Sequence, residues 1–122
     1  MPKREIIDMF DIIQELKKIP EFVKTVEEEE VVEYAVDTYF SNICRKELLE
    51  ANFPFELEER WKEDEEGYYE STTYIVLKRK SDKKFFLFSI YNNGEASTDA
   101  LNLSEKLVEV KKKIITKTIW DW

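Results

Sequence analysis

The chain has 122 residues, 43% of them hydrophobic and 14% aromatic, which suits one domain whose apolar core folds without disulfides or metals. Charged residues make up 38%, and the net charge of −8 disfavours direct nucleic-acid binding. There is no histidine, and two glycines and one cysteine are present. These counts exclude zinc fingers, thiol–imidazole pairs and glycine-rich phosphate loops.

The compartment that fits this composition is the reducing cytoplasm. The lone thiol, Cys44, cannot form an internal disulfide, and we expect it to be a small buried side chain. Residues 1–5 show no signal-peptide pattern, because acidic residues interrupt the apolar stretch behind them. No run of about 18 apolar residues is present, so we expect no membrane-spanning helix.

The first predicted element is a helix over residues 4–18, ended by Pro20. Its apolar side chains recur at three- and four-residue spacing, which is typical of one helix face. They are Ile6, Met9, Phe10, Ile13 and Leu16.

A second helical region is predicted over residues 21–50. Thr25 and Glu28 have the spacing of a capping box, which predicts a helix start with the acidic run 27–30 in its first turn. A second apolar stripe follows, formed by Val32, Val36, Tyr39, Phe40 and Ile43. The segment 52–54 closes the region, because the residue before proline is pushed towards extended geometry.

The apolar period then changes from 3.6 to 2, which predicts about four antiparallel strands. They cover residues 55–63, 68–80, 85–91 and 105–122. Four residues of the first strand, namely Phe55, Leu57, Glu59 and Trp61, share one parity and one predicted face. A polar loop is predicted over 94–104, and the last strand is predicted to be broken or bent near 111–113. We expect the helices to cover one face of the sheet. The other face, which carries Tyr68, Tyr74 and Lys78, is expected to be exposed.

The predicted architecture is therefore α+β: two or three helices packed on a roughly four-stranded antiparallel meander. We expect a single domain over residues 1–122, with a helical part at 1–52 and a sheet part at 53–122. No internal repeat or low-complexity linker divides the chain.

An acidic run across the first strand and its turn is the main candidate site. Its proposed partner-binding residues are Glu56, Glu58, Glu59, Trp61, Glu63, Asp64, Glu65 and Glu66. One interpretation is an imitation of nucleic-acid phosphates that docks into a basic groove; the other is a solvated edge hairpin with protective charge. Trp61 favours contact, because aromatic anchors in polar surroundings mark interfaces. The mimic interpretation is strengthened if the run 27–30 lies on the same side.

Charge is unevenly distributed along the chain. Residues 1–70 hold 21 acidic and nine basic side chains, a net −12, whereas residues 71–122 hold six and ten, a net +4. An acidic domain of this kind suits a basic protein partner better than nucleic acid.

Three other patterns have simpler interpretations. Glu109 and Lys111, with Asp99 upstream, resemble the acid-x-lysine pair of metal-dependent nucleases, but such triplets arise freely in this composition. The basic residues at 78–80 and 83–84 are typical of a charged turn. The aromatic residues of the strands are typical of core rather than of base stacking. We expect no catalytic residue, cofactor or metal site.

Residues 61–122 resemble small proteins of phages and other mobile elements. The resemblance lies in an acidic turn, the hairpin YIVLKRKSDKKFF at 74–86, the pair Glu109-Val110, and a Thr/Ile strand at 114–119. Glycine commonly follows Ser-Asp in such turns, and Lys83 stands in that place here. The resemblance implies an origin, and small acidic proteins of that origin often act by binding.

We therefore expect a non-enzymatic acidic binding protein, an anti-defence inhibitor of the anti-CRISPR kind that blocks a host nucleic-acid enzyme. Two alternatives stay open. One is an immunity protein that neutralises a basic toxin nuclease. The other is a small structural or assembly protein, dimeric through a sheet face or through Trp120 and Trp122. Monomer and homodimer are both compatible with the sequence.

Overall fold

A computed structural model describes residues 4–29, 31–42, 45–64, 71–92, 101–114 and 118–121. The helices are α1 (Met9–Leu16), α2 (Pro20–Glu29), α3 (Val32–Asn42) and α4 (Arg45–Glu50). The strands are β1 (Ile6–Asp8), β2 (Phe55–Asp64), β3 (Ser71–Arg79), β4 (Phe85–Asn92), β5 (Leu101–Leu103), β6 (Lys106–Ile114) and β7 (Thr118–Asp121). The predicted α+β class is confirmed.

The strands pair antiparallel in the order β1-β6-β4-β3-β2. The predicted meander is present as β2-β3-β4. The outer edge of β4 is shared by two partners: its first residues pair with β6 and its last with β5. β7 pairs with the end of β6. The described residues therefore form seven strands rather than about four.

One main core lies between the helices and the sheet. A chain of edge-on aromatic contacts crosses it from helix to sheet, with ring centroids 5.5 Å apart for Phe22–Tyr39, 5.4 Å for Tyr39–Phe40 and 5.7 Å for Phe40–Phe88. Phe86 is fully buried beneath the same layer and meets Phe55 edge-on. Phe86 and Phe88 are therefore core, as predicted.

The N-terminal segment differs from the helix predicted over 4–18. Residues Ile6–Asp8 form β1 and pair with β6, and Asp8 caps α1 by accepting a hydrogen bond from the backbone of Phe10. This displaces the buried face to Met9, Ile12 and Leu16 and leaves Phe10 65% exposed. The prediction was wrong here because long-range strand pairing outweighs local helical spacing. The segment expected to be helical thus begins with a strand.

The predicted helix start at Thr25 was also wrong. Pro20 occupies the first position of α2, where its missing N–H costs nothing. Thr25 lies inside that helix, and its hydroxyl donates to the carbonyl of Glu21 at 2.9 Å. In the apolar stripe, Val36, Tyr39 and Phe40 are buried as predicted.

Two predictions for the C-terminal third need correction. The predicted loop 94–104 contains β5, whose pairing with β4 fixes it to the sheet. The predicted last strand over 105–122 is two strands, because β7 pairs antiparallel with β6 from Lys111 to Ile114. The strand is therefore broken, as one of the two predicted alternatives had it, but the segment 111–113 itself is paired and β6 ends at Ile114.

Several predictions fall outside the described residues and stay predictions. They concern Glu30, Ile43, Cys44, Glu65, Glu66, Tyr68, Asp99 and Trp122.

The β3–β4 turn contains one residue in the left-handed region. Lys83 has φ 65°, at the position where glycine was expected, and its N–H bonds to the carbonyl of Arg79 at 2.8 Å. A side chain on Cβ makes this conformation costly, and glycine removes that cost.

Lys83→Gly is therefore expected to raise the free energy of unfolding by about 0.5–1 kcal/mol, as the relief of strain exceeds the entropy that glycine adds to the unfolded chain. Urea denaturation measures it. The control is Ser81→Gly at an exposed position of the same turn, which should bring no gain. Equal effects of the two changes would contradict the strain at Lys83.

Candidate protein-binding surface

A β-bulge in β2 decides which way its acidic side chains face. Leu57 pairs with Leu77, but Glu59 pairs with Val76, so Glu58 is the extra residue that the bulge inserts between these two pairs. The strand alternation inverts after this point. The predicted common face of four residues was therefore wrong: Phe55 and Leu57 face the helices, whereas Glu59 and Trp61 face away.

The side chains on either side of β2 support this assignment. Arg60 lies on the helix side, where its guanidinium donates to the hydroxyl of Ser41 on α3 at 2.9 Å. Trp61 lies on the opposite side and stacks on Tyr74, with centroids 5.2 Å apart and planes 21° from parallel. The bulge thus places four residues on the face away from the helices. We call them the acidic row: Glu56, Glu59, Trp61 and Glu63.

The sheet face that carries the acidic row is not the open, wet face that was predicted. Val76, Leu87 and Val110 form a second buried cluster there, with Trp61 and Tyr74 packed against it. Trp61 is half-buried, so its ring is held in place rather than free in solvent. The acidic row therefore lies beside an apolar centre, on the terminal strand of the described sheet.

The members of the acidic row differ in how available their charges are. The carboxylate of Glu56 lies 3.6 Å from the ammonium of Lys78, and both side chains are mostly buried. Glu59 is half-buried, and Glu63 is exposed. Alternate residues on a strand are about 7 Å apart, so the row forms a line of charge with an aromatic ring between Glu59 and Glu63.

The remaining predicted contact residues do not all join the row. Glu58 lies at the bulge and is half-buried. Asp64 is the last residue of β2. Glu65 and Glu66 lie outside the described residues.

Two basic residues of the β3–β4 hairpin, Arg79 and Lys80, are engaged within the domain. The guanidinium of Arg79 lies 2.6 Å from Glu5 and 2.7 Å from Asp82. This pairing holds the pKa of Glu5 below its usual value and lowers the pKa of Asp82 to about 2. The ammonium of Lys80 donates to the carbonyls of Leu48 and Ala51 at 3.2 and 3.0 Å, and burial lowers its pKa. These two cations therefore link separate parts of the domain through ion pairs and hydrogen bonds.

The second acidic run does not lie where it was predicted. Glu27, Glu28 and Glu29 are in the last turn of α2, where the helix dipole disfavours carboxylates, and not in a first turn. The residues that follow lead into α3, whose first turn holds Glu33 in a surface groove with Ser104.

The other end of α3 reaches β2 through Ser41, and a helix of 11 residues spans roughly 16 Å. The two acidic runs therefore lie at opposite ends of α3, and only the acidic row borders the β2 edge.

The residues proposed for a nuclease have other surroundings. The carboxylate of Glu109 accepts a hydrogen bond from the backbone N–H of Glu5 at 2.9 Å, which ties β6 to the N-terminal segment. Lys111 is exposed on the same strand, and Asp99 lies outside the described residues. Among the described side chains, no three carboxylates or thiols group in a way that could hold a metal ion.

A cavity in the helical layer escaped the sequence analysis. It has a volume of about 500 Å³ and lies between α2, α3 and α4. Its lining includes Glu21 from α2, Tyr39 from α3, and Glu47 and Glu50 from α4, so three helices contribute. No local motif signals such a grouping; only the folded helix packing creates it.

Comparison with protein-family models, curated proteins and solved structures yields no match. In the part of the chain that the structure describes, no helix has the length and apolar character needed to cross a membrane.

Proposed function

We propose that this is a non-enzymatic acidic binding protein that blocks a basic nucleic-acid enzyme of a host cell by protein–protein contact. It fits an anti-defence inhibitor of the anti-CRISPR kind, working in the host cytoplasm. The acidic row carries the proposal, because the β2 bulge sets Glu59, Trp61 and Glu63 on one face of a terminal strand.

Charge complementarity would supply recognition and speed of association. Glu59 and Glu63 are four residues apart on β2, so their positions are roughly 13 Å apart with the ring of Trp61 between them. Carboxylates in such a line can occupy a basic groove that otherwise holds nucleic-acid phosphates. The hairpin cations would not repel such a groove strongly, since Arg79 and Lys80 already contact acids and carbonyls of the domain. Nucleic acid itself would be disfavoured by the net charge of −8.

The half-buried ring of Trp61 gives the contact a fixed apolar centre. Its stacking on Tyr74 orients the indole before any partner arrives, so little conformational entropy is lost on binding. Rigid aromatic anchors surrounded by polar residues account for most of the binding energy in many interfaces.

Reversal of charge in the row should abolish capture of the partner. We expect Glu59→Lys/Glu63→Lys to weaken binding at least about 30-fold, because like charges opposed across an interface cost several kcal/mol. The measurement is capture from bacterial host lysate on immobilised protein, with mass spectrometry, at about 0.1 and about 0.5 M NaCl.

The matched control is Glu27→Lys/Glu28→Lys, which changes net charge by the same amount at the far end of α3 and relieves the α2 dipole. It should capture the same basic nucleic-acid enzyme as the unaltered protein, with loss at high salt in both. Thermal melting checks that each variant is folded. Equal capture by the row variant, or recovery of the protein's own assembly partners alone, contradicts the proposal.

A further inference from the structure

The cavity between α2, α3 and α4 has a negative rim and an apolar base. Three carboxylates border it, from Glu21, Glu47 and Glu50, and all three residues are exposed. Ile19 and Ala51 supply apolar lining, and none of the described residues that line the cavity is basic. An opening of this charge disfavours anionic ligands.

Tyr39 is a second feature of the same cavity, independent of the carboxylates. Its residue is 6% exposed, and its ring is fixed edge-on against Phe22 and Phe40. Within the described part of the chain, no fully enclosed side-chain oxygen or nitrogen lacks a hydrogen-bond partner. Tyr39 is among the residues that line the cavity, so the small exposed part of its side chain borders that space.

The hydroxyl is kept neutral at ordinary pH. Burial first, and then the charges of Glu21 and Glu47, raise the pKa of Tyr39 to about 12. A neutral hydroxyl can accept a hydrogen bond from a donor inside the cavity while its own proton turns towards a carboxylate. The site thus offers acceptors to a cationic donor.

The dimensions select among cations. A volume of about 500 Å³ lies within the range of organic-ligand sites and far exceeds a single metal ion. Apolar lining from Ile19 and Ala51 suits methylene groups, and the rim carboxylates suit ammonium groups.

We propose that this cavity binds a primary ammonium group on an aliphatic chain, with Tyr39 and Glu47 as its hydrogen-bond acceptors. Two sources present that chemistry: a free aliphatic diamine or polyamine, and a lysine side chain of another protein. The inference concerns the helical layer and stands independently of the acidic row on β2.

Titration with defined probes tests this site. We expect 1,4-diaminobutane to bind with one-to-one stoichiometry. Calorimetry measures this binding, and so do the backbone amide shifts of Thr38 and Asn42, which line the cavity. 1,4-Butanediol, of the same length without charge, should not bind. N-acetyl-lysine methylamide represents the protein-borne source: binding assigns lysine side chains to the site, and its absence beside diamine binding assigns free amines.

Variants separate the site from general charge attraction. Tyr39→Phe and Glu47→Gln should each weaken diamine binding about tenfold, whereas Glu33→Gln, with the same charge change as Glu47→Gln at the other end of α3, should leave it unchanged. Glu47 is exposed, so its variant keeps the fold even if Tyr39→Phe does not. No saturable shifts with either amine, or equal weakening by Glu33→Gln and Glu47→Gln, would overturn the proposal.

Discussion

Phe86→Ala is expected to lower the free energy of unfolding by about 3–5 kcal/mol, which is enough to unfold a marginally stable domain of this size. Phe86 is fully buried and is the second residue of β4. Its ring meets Phe55 edge-on at 5.9 Å and lies 4.9 Å beneath the guanidinium carbon of Arg79. Alanine leaves a cavity there and also removes the aromatic and cation–π contacts. Urea denaturation gives the magnitude.

The control makes the same substitution at a largely exposed position. Phe10 is 65% exposed on α1, so Phe10→Ala should change stability by less than about 0.5 kcal/mol. Its spacing predicted that Phe10 shares the apolar face of the first helix. A loss of several kcal/mol from Phe10→Ala would restore the helix face predicted over 4–18 and contradict the strand β1.

Arg79→Met is expected to cost about 1–2 kcal/mol near neutral pH, with a cost that shrinks in acid. Arg79 donates in pairs to Glu5 and Asp82, which joins the N-terminal segment to the β3–β4 turn. Such charge-assisted bonds contribute more than neutral ones, but both acids are over a third exposed, so solvent screening limits the gain.

The sign of the pH dependence follows from Asp82. Its pKa falls from 3.8 to about 2 in the folded protein, chiefly because of the hydrogen bond from Arg79. A depressed pKa contributes stability that is present above pH about 4 and is lost as pH falls towards 2. The stability gap between the unaltered protein and Arg79→Met should therefore narrow over that window.

Carboxyl NMR titration and acid denaturation check this together. In Arg79→Met, the pKa of Asp82 should return towards 3.8. Lys83→Met is the control, since it removes an exposed cation from the same turn and should leave the Asp82 titration in place. A gap between the two proteins that stays constant from pH 6 to pH 2 would contradict a stabilising role for the Arg79 pairs.

Patterns of short range were sufficient to predict much of the fold. The predicted strand over 55–63, the turn around Lys83 and the strand over 85–91 all agree with the structure within a few residues. Each rests on a local signal, namely alternation, a polar turn, or β-branched and aromatic residues. The apolar stripe with Val36 and Phe40 was equally visible, because helical spacing is a property of neighbours along the chain.

Features that depend on distant partners were not predictable from those patterns. The helical spacing around Ile6 is genuine, yet the segment is held as β1 by Leu107 and Val108, a hundred residues away. The bulge at Glu58 is a shift of one residue that no composition marks, and it inverts the facing of every later residue of β2.

The candidate sites show the same division. The acidic run over 56–66 was visible as composition, but which charges share a face was fixed by the bulge. The cavity around Tyr39 combines Glu21 from α2 with Glu47 from α4, so its charge cluster exists only after the helices pack. In the sequence, the basic residues of the hairpin are typical of a charged turn. In the structure, Arg79 pairs with Glu5 and Lys80 donates to the carbonyl of Leu48, so both cations join separate parts of the chain.

The most direct test of the acidic row is a binding footprint by NMR on isotope-labelled protein, with the enzyme captured from lysate as titrant. The account predicts that amide shifts and the Trp61 indole signal change around Glu59 and Glu63, while the signals of Glu27 and Glu28 stay in place. Changes confined to the α2 end, or spread evenly over all acidic residues, would contradict the claim that the β2 bulge builds the binding surface.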